Sequence, residues 1–334
     1  MSTNRVLVTG GAGFIGAEVL RALQLLVDGQ SKKSSSCYTL RVLAHQRDPS
    51  TLRERGTSGP AGPMPVEVVH GDLGDAASLR GICTGVDTVV HLASLIGGDA
   101  ESCHRVNVLG TGALLAEAQR AGVRRIVQLS TTAVYRDGVH RGATESALPL
   151  EPGSVTSRTR LQAERLVLAA GGTVVRPHLV YGRGDTWVIP AVAELLGRMP
   201  HWIDGGRARV SMIAVDDLAR ALAALVLGPP SPGGGQVYHA CHPEPVRVRD
   251  LLTLVSGQLG LPLPSGDLPY EQAVARLVAS EGAHWARRLS LLGVDHWYES
   301  SRLWQRTGCD PGPGLAGRFA DHAPWYRARS GAGG

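Results

Sequence analysis

The segment Val6–Gly16, VLVTGGAGFIG, constrains the fold of this chain more than any other stretch. The short apolar run is bounded by glycines and reads as a buried parallel strand over Arg5–Thr9. Residues Phe14–Val27 then carry apolar side chains at helical spacing. Between the two, Gly10, Gly13 and Gly16 form GxxGxxG. In that setting the first glycine permits a sharp turn. The second lets the backbone approach a pyrophosphate, and the third lets helix and strand pack closely. The helix N-terminus adds amide donors and the positive end of its dipole. A glycine motif alone is weak, but a strand before it and a helix after it give the context a dinucleotide-binding loop requires.

The rest of the chain continues the alternation. Further strands are expected at Leu40–Ala44, Val66–Val69, Thr88–Leu92, Arg125–Leu129 and Thr173–Arg176, with a long helix over Ser102–Ala121 and another over Val155–Ala170. The serine-rich stretch Asp28–Ser36 reads as a mobile surface loop. Strands alternating with helices imply an α/β fold, a Rossmann doubly wound parallel sheet. After Pro177 turns and prolines become frequent, and all six tryptophans lie there. The domain reading follows: 1–177 bind the dinucleotide, 210–241 return to that domain, and 178–209 with 242–334 build a smaller, mainly helical substrate lobe. Within the return, Val210–Leu227 reads as strand plus helix and Gln236–Cys241 as a last strand.

Composition excludes several classes. The chain has 334 residues, 43% hydrophobic and 19% charged, ordinary for a soluble globular protein. No apolar run reaches the ~18–20 residues of a membrane span, so no membrane partner is expected. The strand pattern starting at Arg5 leaves no room for a secretory signal. Five scattered cysteines without a CxxC pair suggest a reduced, cytoplasmic protein. Twelve dispersed histidines show no HxxxH or HExxH spacing, so no metal site is expected. Lys plus Arg is 34 and Asp plus Glu is 29, a formal charge of +5. The basic residues form no stripe with interleaved aromatics, which argues against nucleic acid, while a mild positive excess suits an anionic dinucleotide. Only Lys32 and Lys33 are lysine; with 43 glycines, the arginine preference marks a GC-rich genome.

The second strand ends RVLAHQRD, without the acid that NAD sites usually place there for the ribose hydroxyls. Arg47 follows instead and can pair with a 2′-phosphate, so NADP is favoured, with NADH still usable.

With these motifs in place, the chain resembles the extended short-chain dehydrogenase/reductases, the nucleotide-sugar epimerase and dehydratase group. The resemblance covers most of residues 5–241. It implies cofactor contacts from Gly10, Gly13, Phe14, Ile15 and Gly16. It implies an adenine-contacting segment at Asp72 and Leu73, and a strand end beneath the cofactor at Leu92, Ala93 and Ser94. Asn107 matches the structural asparagine of the active-site helix, and Ser130–Tyr135 (STTAVY) the catalytic strand end, with Thr131 aligning the carbonyl. Pro177 and Val180 fall in a later signature beside the cofactor. The family moves protons with a tyrosine and a lysine in YxxxK. Anchored on Leu161 and Glu164, those positions become Thr156 and Arg160, and no tyrosine stands between Tyr135 and Tyr181. A threonine hydroxyl is too weak an acid to replace a phenol of pKa ~10, and arginine keeps its proton at neutral pH. Arg160 can still bind ribose hydroxyls. Tyr135 and Tyr181 sit in stretches that are structural in the family.

Three readings follow. The first is a ketoreductase that needs no phenol from the protein: hydride delivery needs mainly positioning, and the proton comes from water or a substrate hydroxyl. The second is an NADP-binding sensor without turnover. The third, a nucleotide-sugar epimerase or dehydratase, is disfavoured because oxidising a hydroxyl first requires the missing base. The GC-rich bias, the reductase body and the absent tyrosine together resemble the atypical ketoreductases of angucyclinone antibiotic biosynthesis. That resemblance implies a polycyclic aromatic polyketide ketone as substrate, with a phenol beside it supplying the proton. Ser130 and Thr131 would face it. Trp187, Trp202 and Trp285 either line an aromatic pocket or fill the lobe's core. Arg158, Gln162 and Arg165 charge one face of their helix, which favours a monomer over a dry helix–helix dimer.

Overall fold

Strands whose residues are apolar on both faces can only be buried in the middle of a layered sheet. Thr173–Pro177 is buried throughout, as are Val6, Leu7 and Val8 of the first strand. In the computed structural model, which describes residues 3–31, 37–45, 66–229 and 233–330, these strands lie inside a seven-stranded sheet. Its order is Val237–Ala240, Thr173–Pro177, Arg125–Leu129, Thr88–His91, Thr3–Thr9, Cys37–Ala44, Val66–His70, all parallel. The chain reverses its direction of winding between Thr3–Thr9 and Thr88–His91. That reversal opens a crevice at the carboxyl ends of these two strands. The α/β doubly wound Rossmann fold read from the sequence is the fold observed. No helix among the described residues is long and apolar enough to cross a membrane.

Two elements differ from their expected form. The first helix runs Phe14–Ser31, through the start of the stretch expected as a loop. Leu23 and Val27 enter the core with Leu218 and Leu222 of the Val215–Leu227 helix, and Arg21 pairs with Asp216 at 3.0 Å. Packing carries the helix past its local composition; residues 32–36 lie outside the described residues. The expected long helix Ser102–Ala121 is instead Ala100–His104, a π turn over Arg105–Leu109, and Gly110–Arg120. π turns widen the helix by one residue and gather at functional sites. Just beyond this one, a Cβ on Gly110 would lie 2.3 Å from the Leu73 carbonyl oxygen, so the helix start sits directly on that loop.

A second apolar core joins Ile189, Val192, Leu251, Val255, Leu277, Leu289 and Phe319. The segment returning to the sheet is shared: Val210 and Met212 belong to this second core, Ile213 and Leu218 to the first. The helix Ser301–Thr307, expected within the lobe, packs on the Rossmann core through Leu303 and Trp304. The Trp304 indole donates to the Cys241 carbonyl at 2.9 Å, which fastens it there. The lobe also carries strands: Val246–Arg247, Arg209–Val210 and His296–Tyr298 form a small sheet together with His140–Ala143 from the first domain.

Candidate functional site

The glycine loop is shaped by contact. Gly10 has φ 72, and a Cβ on it would lie 2.7 Å from the Ala93 amide nitrogen at the end of the neighbouring strand. A Cβ on Gly16 would lie 2.0 Å from the Gly10 carbonyl oxygen, so nothing larger fits between helix and turn. At Gly13 the nearest atom would be the Gly10 oxygen at 3.2 Å, which leaves the outer side of the loop open to approach. Phe14 leans against Gly184, in the loop after the strand Leu179–Tyr181. Gly16→Ala is therefore expected to push the helix off the turn and weaken binding of a nicotinamide dinucleotide by about tenfold or more. A titration showing wild-type affinity would refute that.

Behind the loop a hydrogen-bond chain fixes the crevice floor. The Ala93 amide meets the Thr9 hydroxyl at 3.3 Å, and Thr9 meets His91 Nδ1 at 2.8 Å. His91 Nε2 meets the Thr111 hydroxyl at 2.9 Å, and that hydroxyl donates to the Asn107 carbonyl at 2.6 Å. Since Thr111 spends its proton on a carbonyl, His91 carries its own on Nε2 and accepts from Thr9 on Nδ1. Burial pushes the His91 pKa down to about 4, with the nearby Arg160 adding to the effect.

Asn107 occupies the π turn and is buried. Its Oδ1 accepts from the Leu95 amide at 2.7 Å, and its Nδ2 donates to the Leu95 carbonyl at 3.0 Å and to the Thr159 hydroxyl at 3.0 Å. It thereby clamps the segment after Leu92, Ala93 and Ser94 to the helix Val155–Ala169. Thr156, in the first turn of that helix, accepts from the Gly97 amide at 3.3 Å. Arg160, one turn on, reaches across to the Leu129 carbonyl at 3.1 Å. Desolvation lowers its pKa to about 10 against the pull of Glu164, so it stays charged at neutral pH. Leu129 ends the strand that leads into Ser130 and Thr131, so Arg160 stands beside the expected reaction centre.

Thr131 caps a short 3-10 turn, its oxygen accepting from the Ala133 amide at 3.1 Å. The oxygen is used as an acceptor, which leaves its single proton to donate outward. The hydroxyls of Ser94 and Ser130 are buried without a partner among the described residues. Two orphaned hydroxyls at the carboxyl ends of the central strands, with a loop only glycine can build, fit a nicotinamide dinucleotide. Asp72, expected at the adenine end, has its Oδ1 accepting from Gly74 at 2.8 Å and its Oδ2 3.3 Å from His45. Leu73 is buried beside it, and Pro177 and Val180 are buried at the far end of the crevice. Arg47 lies outside the described residues.

The tryptophans separate. Trp285 is 3% exposed inside the second core, with the guanidinium groups of Arg198 and Arg288 over its ring at 5.4 and 5.3 Å. Trp202 is likewise buried, under Arg249. The expectation that Trp285 lines a substrate pocket is corrected by this packing. Trp187, 61% exposed at the start of the helix Val188–Arg198, keeps its face open.

Sequence reading passed over a buried polar cluster beneath Thr131. Arg176 and Glu164 pair through Arg176 Nε at 3.0 Å, with 3% and 0% of their side chains exposed. Arg176 also donates to the Tyr135 hydroxyl at 2.9 Å. That hydroxyl lies 2.6 Å from His239 Nε2. Because His239 Nδ1 donates to the Glu299 carbonyl at 3.0 Å, Nε2 is the acceptor and Tyr135 the donor. Burial pushes the Tyr135 pKa up to about 12, against the pull of Arg176. Tyr135 is thus a structural residue, as is the buried Tyr181, whose pKa burial also raises.

Comparison with known proteins now bears on this geometry. The family model described as the NAD dependent epimerase/dehydratase family matches residues 6–241. The chain belongs to that family. It is 31% identical over 285 residues to a 4-hydroxy-2-methyl-3-oxo-4-farnesyl-3,4-dihydroquinoline-1-oxide ketoreductase of Stigmatella aurantiaca, covering 81% of this chain and 78% of the relative. It is 32% identical to a 3 beta-hydroxysteroid dehydrogenase/Delta 5-->4-isomerase of Mycobacterium tuberculosis, over 73% and 66% of the two chains. Among solved structures, a dTDP-glucose 4,6-dehydratase of Streptomyces venezuelae with NAD bound superposes with a TM-score of 0.73 at 25% identity, covering 98% of each chain. This epimerase/dehydratase-family chain is accordingly an oxidoreductase that uses a nicotinamide cofactor.

Proposed function

We propose that this family member is an NADPH-dependent ketoreductase that reduces a ring ketone of a polycyclic aromatic polyketide, of the angucyclinone type, to an alcohol. The observation that carries the reading is that neither position of the family pair offers a phenol or an amine, and that the Tyr135 hydroxyl is already spent on His239. Thr156 is tied to Gly97, Arg160 to Leu129, and Tyr135 to Arg176 and His239. A reaction that begins by removing a hydroxyl proton lacks the family's phenolate base there, whereas ketone reduction needs only one proton at the end. When bound, NADPH supplies the hydride. Gly10, Gly13, Gly16, Asp72 and Arg160 would hold it, and Arg47 would supply the charge for a 2′-phosphate. Thr131 donates its free proton as a hydrogen bond to the developing alkoxide, and Ser130 lines the same wall. The carbonyl oxygen then takes its proton from a phenol beside it on the substrate, and water reprotonates the phenolate.

The Stigmatella relative supports reduction of a ring ketone, because its name specifies a 3-oxo group on a fused ring, beside a 4-hydroxyl that is an alcohol and not a phenol. Trp187 offers an exposed aromatic face for such a ring system. Arg158, Gln162 and Arg165 all face solvent on their helix, which supports a monomer. NADPH oxidation followed by absorbance tests the mechanism, with phenol-flanked polycyclic ketones set beside their methyl ethers. Turnover of the free phenols alone is expected. Equal turnover of both would discard the substrate phenol as proton source. NADPH binding with no ketone reduced would favour the sensor reading.

A further inference from the structure

His178 follows the strand Thr173–Pro177 at the carboxyl edge of the sheet, one residue beyond Pro177 in the candidate site. Its Nδ1 lies 2.7 Å from the hydroxyl of Thr132, the neighbour of Thr131. Its Nε2 is buried and has no partner among the described residues. A buried, unpaired ring nitrogen is costly unless a ligand completes it.

The surrounding groups decide which kind of ligand atom that is. His140 Nε2 lies 3.0 Å from the Arg136 carbonyl, which can only accept, so His140 carries its proton there. His140 Nδ1 is then bare and accepts from the Tyr298 hydroxyl at 2.8 Å. With its proton spent, the Tyr298 oxygen is left as an acceptor, and the Thr132 hydroxyl is the donor that pulls its pKa down against burial. Thr132 in turn can only accept from His178, so the His178 proton sits on Nδ1. Every donor in the row points along it toward the Arg136 carbonyl, and the row ends in a bare Nε2. His296 stacks on the same ring at 5.8 Å, and burial beside His296, His140 and His239 keeps His178 neutral.

We infer that His178 Nε2 is a specificity-determining acceptor that takes a hydrogen bond from a hydroxyl of the bound aromatic substrate, other than the hydroxyl that lends its proton to the ketone. This inference deepens the ketoreductase reading and rests on it for the class of ligand. A ligand offering only ether or carbonyl oxygens at that point would leave two lone pairs facing each other, so the site selects for a hydroxylated ring.

Equilibrium binding to the NADP-loaded protein tests this apart from turnover. The probes are 1-hydroxyanthraquinone and the isomers that add one further hydroxyl to it. The wild-type protein is expected to bind at least one dihydroxy isomer about tenfold more tightly than the parent. His178→Leu should abolish that preference and leave the affinity for the parent compound unchanged. Absence of any preference in the wild type, or its survival in His178→Leu, overturns the inference. Nitrogen-15 spectra of histidine-labelled wild-type protein give an independent answer if the variant does not fold. A proton on Nδ1 of His178 is expected, and a proton on Nε2 overturns the inference. Dihydroxy isomers that bind in this pattern but stay unreduced when NADPH replaces NADP would sink the ketoreductase reading and leave the His178 contact standing.

Discussion

Glu164→Leu is expected to lower the stability of the protein by about 3–5 kcal/mol, the cost of leaving one member of a buried ion pair alone. Glu164 and Arg176 have almost no contact with solvent, and the carboxylate meets Arg176 Nε with both oxygens, at 3.0 and 3.2 Å. Removing it leaves a guanidinium whose remaining strong partner is the Tyr135 hydroxyl, in surroundings too apolar to solvate it. Glu164→Leu combined with Arg176→Met removes both charges and keeps the volume. Such replacements of whole pairs are often neutral, so the double variant should recover most of the loss. Tyr135 still donates to His239 in the double variant, so that part of the cluster is not orphaned. Urea unfolding of the wild type, both single variants and the double variant closes the cycle. Additive losses, or a single-variant cost below about 1 kcal/mol, would show that the pair is solvated and the burial misjudged.

The same pair shows where sequence reading stops. Glu164 and the Arg176–Pro177 dipeptide each stand out in the sequence as family signatures, but their pairing does not, since it depends on where the helix Val155–Ala169 lies on the sheet. The histidines behave alike. As a list they are dispersed and show no ligand spacing. In the fold, sheet register gathers them: His239 lies opposite Arg176 on neighbouring strands, and His296 opposite His140. Such convergence is a tertiary fact with no local signal. The glycine loop is legible for the opposite reason, because the limits on Gly13 and Gly16 come from Gly10 and Gly11 a few positions away; only the approach of Gly10 to Ala93 needs the sheet.

Intermediate cases are instructive. Asn107 is identifiable from its motif, but the π turn that turns it inward is not, because Arg105–Leu109 carries no helix breaker. Trp285 was ambiguous in sequence. An aromatic at helical spacing suits a core and a pocket equally, and only the packing of the second lobe decides for the core.

Acid should unfold this protein early. His91 and His239 both have their pKa pushed down to about 4 by burial, from an ordinary value of 6.5. At His239 the nearby Arg176 and Arg302 push the same way, while Glu145 and the Glu299 carbonyl pull against them. Burial also holds His178 well below its ordinary value. Above pH 6.5 neither the folded nor the unfolded chain protonates these rings, so they contribute no pH dependence. As the pH falls below 6.5 the unfolded chain takes up protons that the folded chain refuses, and stability falls until the folded rings titrate near pH 4. At pH 5 each of the first two accounts for about 2 kcal/mol of lost stability, at 1.36 kcal/mol per pKa unit. Their sum is a large part of the roughly 5–15 kcal/mol a domain holds. The hydrogen-bond geometry explains why the rings do not simply charge in place. Nδ1 of His91 and Nε2 of His239 already accept from hydroxyls, and a proton on either would set donor against donor. Urea midpoints measured from pH 7.5 to pH 4.5 should drop steeply below pH 6.5. A midpoint that stays level down to pH 5 would mean that water reaches these histidines and the buried network is open.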